Sequence, residues 1–145
     1  MKDTISQTNP SEEQLKLMIS WDRYIEMIDE LVLKIPINRY RAICSVPRGG
    51  NIPATIISYK LNVPLIEANP SIQWEGHSKD PSKHYLIVDD LTDTGATLHN
   101  LSKNDKHLSG IETAVLFWKE ESTHIPDFFV EKTPQNNWII FPYEK

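Results

Sequence analysis

The stretch His84-Tyr85-Leu86-Ile87-Val88-Asp89-Asp90-Leu91-Thr92-Asp93-Thr94-Gly95-Ala96-Thr97 decides how the rest of the chain is read. Tyr85 to Val88 is a short apolar run with β-branched residues. It stops at two adjacent carboxylates, as a parallel strand does where its carboxyl end opens into a ligand crevice. Asp93 to Thr97 then supplies hydroxyls, a permissive glycine and small side chains just before a helical pattern that begins near Ala96. Successive backbone N–H groups in such a turn, backed by a helix N-terminus, form a concave anion site. Asp, Thr and Gly are also the ordinary chemistry of a strand-to-helix connection, with Asp93 or Thr94 capping the helix. The ordered combination of strand, acid pair, third acid and hydroxyl-rich turn favours the anion site.

Working upstream, Arg41 to Val46 reads as a second strand. It empties into Pro47-Arg48-Gly49-Gly50 ahead of a helix from about Ile52 to Leu61. Two glycines let a backbone approach a phosphate closely, and Arg48 can add a bidentate contact. Asn62 to Ile66 is a further short strand, which completes a β-α-β unit. Ser20 is placed to cap a helix that carries Asp22 in its first turn. Tyr24, Ile25, Ile28, Leu31 and Val32 form the apolar face of that helix, and Pro36 ends it. Leu15 to Ile19 reads as an edge or early strand, and Met1 to Pro10 as a loose leader. The expected division is a leader over 1–14 and one domain over 15–145.

Downstream, Leu98, Leu101 and Leu108 mark a helix and its exit, with Gly110 as a stop. Ile111 to Trp118 is a buried strand ending at Lys119, a position where a lysine is ordinarily just a solvated charge. Phe128 to Val130 and Trp138 to Ile140 are short final strands joined by a polar turn around Pro134. Between Glu67 and Lys83 the periodicity disappears. A loop of that length inside a small domain is either an ordinary connection or a lid. Trp74 within it needs an apolar surface to cover. Strands alternating with helices predict an α/β domain with a mainly parallel twisted sheet flanked by helices.

Composition narrows the function. The chain of 145 residues is sized for a single core, and a formal charge of -5 without a Lys/Arg cluster argues against a nucleic-acid surface. Cys44 is the sole cysteine, in a predicted strand, and reads as a small buried thiol. No apolar stretch approaches the length of a membrane span and no signal-peptide pattern opens the chain, so a cytoplasmic protein is expected.

The central stretch, unbroken from Leu86 to Thr97, resembles the signature of type I phosphoribosyltransferases. Trp21-Asp22, Arg48-Gly49-Gly50, Phe117-Trp118-Lys119 and Pro134-Gln135-Asn136-Asn137-Trp138-Ile139 follow in the order of the 6-oxopurine enzymes of that family. The resemblance implies phosphoribosyl pyrophosphate (PRPP) and a purine base as partners, and Mg2+ as cofactor. Asp89 and Asp90 would hold the ribose hydroxyls and help arrange the metal, while Thr94, Gly95, Ala96 and Thr97 would cradle the 5-phosphate. Arg48 and Gly49 would face pyrophosphate. Lys119 would donate to the purine's 6-oxo group, Trp138 would stack on the ring, and Ile139 would offer a backbone carbonyl to its exocyclic edge. Asp93 would act as general base. A homo-oligomer, dimer or tetramer, is expected.

Two departures stand out. Pro47 occupies the place of a small hydroxyl residue before the arginine, where the turn needs an unusual backbone geometry. The segment from Glu67 to Lys83 is shorter than the family's mobile flap, so a reduced hood is expected. A curtailed flap excludes water less well, which leaves a non-catalytic regulatory protein binding PRPP or a nucleotide as the alternative.

Overall fold

The computed structural model describes residues 14–68, 83–103 and 110–144. Nearly all of the expected leader, the lid-like loop with Trp74, and Leu108 lie outside the described residues. Five strands form one parallel sheet in the order β3-β2-β4-β5-β6: β2 (Tyr40–Ser45), β3 (Leu65–Glu67), β4 (His84–Thr92), β5 (Ile111–Lys119) and β6 (Phe128–Thr133). A second, two-stranded parallel sheet joins β1 (Lys16–Met18) to β7 (Trp138–Ile140). Three helices complete the described fold: α1 (Trp21–Lys34), α2 (Asn51–Leu61) and α3 (Ala96–Lys103). No helix among the described residues is long and apolar enough to cross a membrane.

The main sheet is covered on both faces, which is why its central strands are apolar at successive positions rather than alternately. Leu86 and Val88 of β4 pack with Ile43 and with the α1 residues Tyr24, Met27, Ile28 and Leu31. Their neighbours Tyr85 and Ile87 point the other way, with Cys44, Val115 and the α3 residues Leu98 and Leu101. Burial pushes the Cys44 thiol up to about 12, so it is a packing group as expected.

Helix α1 starts where Ser20 Oγ accepts from Arg23 N at 3.1 Å and ends at Ile35, just before Pro36. Its buried stripe is Tyr24, Met27, Ile28 and Leu31, spaced i, i+3, i+4, i+7. Ile25, expected on that face, lies beside the stripe and is 43% exposed.

Strand β4 does not stop at the acid pair. It continues to Thr92, because Asp89, Leu91 and Thr92 stay in register with Val115, Phe117 and Trp118 of β5. The long β4–β5 ladder therefore carries both acids and Lys119 to the same end of the sheet.

The Pro47–Arg48 peptide is cis, and the turn after it is set by close backbone approach. Val46 N donates to Val88 O at 3.0 Å and Gly50 N to Val46 O at 2.8 Å. A Cβ on Gly50 would collide with the Val88 carbonyl and lie 2.7 Å from Val46 O. Both obstacles are backbone, so Gly50→Ala is expected to lower unfolding free energy by about 3 kcal/mol. Urea denaturation checks this, and an alanine variant as stable as the parent would mean that the turn is less tightly set.

Candidate active site

At the carboxyl end of the sheet a cavity of about 770 Å³ is lined by Arg48, Gly49, Ile52, Asp90, Leu91, Asp93, Lys119, Trp138, Ile139, Phe141, Tyr143 and Glu144. Topology explains its position. The turns after β2 and β4 and the end of β5 supply Arg48, Gly49, Asp93 and Lys119, and β7 with the 3-10 turn Pro142–Glu144 supplies Trp138, Ile139, Tyr143 and Glu144. Arg48, Gly49, Asp90, Asp93, Lys119, Trp138 and Ile139, seven of the residues singled out from sequence, thus meet in one space.

Asp90 is the most constrained of them. Its Oδ2 accepts from the Tyr143 hydroxyl, and its backbone N–H donates to Asp89 Oδ1 at 2.8 Å. A Cβ on Gly49 would fall on the Asp90 carboxylate, so glycine lets the Arg48 turn lie against the acid pair. Asp89 does not line the cavity. Burial first, and then the Asp90 charge, hold its carboxyl far above the ordinary range, at about 9. A half-buried acid pair with one raised carboxyl would be relieved by a cation.

The donor set fits magnesium. Among the described residues no group of three or more His, Cys, Asp or Glu could hold a metal. Two adjacent carboxylates suit an ion that keeps several waters and takes its other ligands from substrate oxygens.

Lys119 is not a solvated charge. Its side chain is only 8% exposed, and Nζ stands 3.5 Å from Asp93 Oδ1. Trp138 is about half exposed while Ile139 is buried, so the indole is free to present a face to a flat ligand.

Thr94, Gly95, Ala96 and Thr97 do not line the cavity; they form the turn beside it, with Thr94, Ala96 and Thr97 exposed and Gly95 buried. Thr94 Oγ1 accepts from Ala96 N at 3.2 Å, so part of its role is the helix-start chemistry anticipated as the alternative. The turn is braced from the β5–β6 connection: Thr94 O accepts from Thr123 N at 2.8 Å and Thr123 Oγ1 at 2.9 Å. Gly95 has φ +90, and a Cβ there would lie 2.5 Å from His124 N and 2.6 Å from Ser122 Oγ. Glycine is needed for both reasons.

Tyr143, Phe141, Glu144 and Gln135 were not singled out from sequence. Phe141 and Tyr143 stack at 5.5 Å between ring centroids, and Tyr24 meets both edge-on. A Pro-Tyr-Glu run at the end of a chain carries no local signal for this. Gln135 lies inside the Pro134–Ile139 stretch already noted, which was the available clue.

The comparisons agree with this geometry. No family model matches the chain. A solved structure of a purine phosphoribosyltransferase from Pyrococcus horikoshii superposes with a TM-score of 0.76 at 32% identity, over 90% of this chain and 95% of that one. The xanthine-guanine phosphoribosyltransferase of Gluconobacter oxydans is 30% identical over 119 residues, covering 72% of this chain and 69% of that protein. The enzyme of the same name from Idiomarina loihiensis is 26% identical over 143 residues, covering 89% and 87%. At these identities and coverages the chain belongs to the type I phosphoribosyltransferase family. Within that family the three relatives just described bear the names of purine enzymes.

Proposed function

We infer that this protein is a purine phosphoribosyltransferase, moving the phosphoribosyl group of PRPP onto a 6-oxopurine with release of pyrophosphate. The observation that carries the reading is the meeting of these groups in one cavity. Gly49 lies against Asp90, Lys119 Nζ stands 3.5 Å from Asp93 Oδ1, and the Arg48 and Trp138 side chains line the same space. On a 6-oxopurine, O6 and N7 lie side by side on one edge. Lys119 and Asp93 offer a donor and an acceptor in the same order. Residues 15–145 form the catalytic domain on this reading: Leu15 O already accepts from Trp138 N at 2.7 Å.

In the reaction the bond between the anomeric carbon and pyrophosphate breaks, and its electron pair leaves with pyrophosphate. A ring nitrogen of the purine forms the new C–N bond. The proton released from the purine passes to the Asp93 carboxylate and then to water. Asp89 and Asp90 hold the ribose hydroxyls, Arg48 and the Gly49 turn receive pyrophosphate, and the Thr94–Thr97 turn receives the 5-phosphate. Magnesium, held through Asp89 or Asp90 and substrate oxygens, would supply positive charge to the leaving pyrophosphate. Orientation and charge stabilisation carry most of the rate, as they do wherever the protein forms no covalent bond to substrate.

The direct test is to incubate the protein with magnesium, PRPP and each of guanine, xanthine and hypoxanthine, and to assay for the nucleotide. Formation of none of the three would refute the reading. Lys119→Met probes its base-reading half. Losing one charged hydrogen bond is expected to raise KM for the purine by about tenfold, with KM for PRPP nearly unchanged. Equal increases for both substrates would contradict the assignment of Lys119 to the purine.

A further inference from the structure

The turn that follows β6 holds a side chain with a defined orientation. Asn137 is buried; its Nδ2 donates to Thr133 Oγ1 at 2.9 Å, and its backbone N–H donates to Pro134 O at 3.2 Å. Gln135 projects from this fixed turn. Its Oε1 accepts from the backbone N–H of Glu121 at 2.9 Å, just past the Lys119 end of β5. Because a backbone N–H can only donate, this contact settles which end of the amide is oxygen. The Nε2 end must then face Asp93, where it donates to Oδ1 at 2.9 Å and to the main-chain oxygen at 3.2 Å.

The consequence concerns one oxygen atom. Asp93 Oδ1 receives both the Gln135 amide and the Lys119 ammonium. Among the described residues Oδ2 accepts no hydrogen bond, and Asp93 lines the cavity. We propose that Gln135 is a positioning residue for the transfer: it pins Asp93 by Oδ1 and leaves Oδ2 as the atom that takes the purine proton. This rests on the phosphoribosyltransferase reading and adds a residue and an atom to it. It also links three segments that are distant in sequence: the acid turn after β4, the end of β5 that carries Lys119, and the turn leading into Trp138.

Gln135→Glu isolates the donor. It preserves the size of the side chain and the oxygen that receives Glu121 N–H, but has no N–H for Asp93. Gln135→Met removes both contacts without adding charge. In single-turnover assays with saturating PRPP and purine, both variants are expected to form nucleotide about tenfold more slowly, the scale of a modest loss of orientation. KM for PRPP should stay within about twofold, since no PRPP group is assigned to Gln135. Loss of rate in Gln135→Glu alone would indicate repulsion by the new charge and overturn the proposal. Unchanged rates in both variants, or equal rises in both KM values with the rate intact, would overturn it as well. A parent protein that makes no nucleotide would remove the functional reading and this inference together. A parent that turns over while both variants match it would remove only the inference.

Discussion

Asp93→Asn should slow nucleotide formation by about a hundredfold while PRPP still binds, the range expected for loss of a general base. The substitution is nearly isosteric, and its cost can be traced atom by atom. The amide oxygen can still receive the Gln135 amide and the Lys119 ammonium now paired with Oδ1. The amide nitrogen then falls where Oδ2 was and presents a donor to a purine N–H, so two donors face each other and no acceptor takes the proton. Asp93 lies three residues beyond Asp90 in the chain, and the ribose contacts are assigned to the earlier pair. Single-turnover kinetics and calorimetry with PRPP separate the two effects. Equal weakening of PRPP binding would show that Asp93 belongs to the ribose side, and an unchanged rate would reduce it to a turn residue.

Asp90→Asn is expected to have the largest effect on use of PRPP, lowering kcat/KM for that substrate by a hundredfold or more. Hydrogen bonds to a charged group contribute about 1.5–3 kcal/mol each, and a diol makes two. The fold should survive, because the amide oxygen can go on accepting from the Tyr143 hydroxyl. The charge is lost, however, and with it the part of the raised Asp89 carboxyl that comes from Asp90. The magnesium concentration needed for half-maximal rate should rise at the same time. A titration of rate against magnesium checks this, and a parallel curve with no shift would detach Asp90 from the metal.

The sequence made the acid pair, the Arg48 turn and Lys119 legible because each interrupts an apolar strand at its carboxyl end, where a polar residue needs a reason. It misjudged the length of β4: whether a strand ends at a polar residue depends on its neighbour, and the apolar run of β5 extends the ladder to Thr92. It does not show a second demand on Gly49: the atoms next to its missing Cβ are those of Asp90, from another turn. Tyr143 was invisible for the same kind of reason. Its place beside Asp90 arises from pairing of β1 with β7 and from stacking on Phe141, contacts between distant parts of the chain with no local periodicity.

That pairing of β1 with β7 has a further consequence for the order in which the molecule assembles and opens. Lys16 lies opposite Trp138, and Ile19 N donates to Ile140 O at 2.9 Å, so the wall carrying the indole closes the longest loop in the described chain. Closing a long loop delays docking until the intervening sheet exists, and two short strands retain few hydrogen bonds to resist fraying. Amide exchange at Ile19 and Trp138 is therefore set by local detachment of this flank rather than by global unfolding. A purine held between Lys119 and the indole would tie the flank to the main sheet, so occupancy would be recorded as slower exchange along β1 and β7.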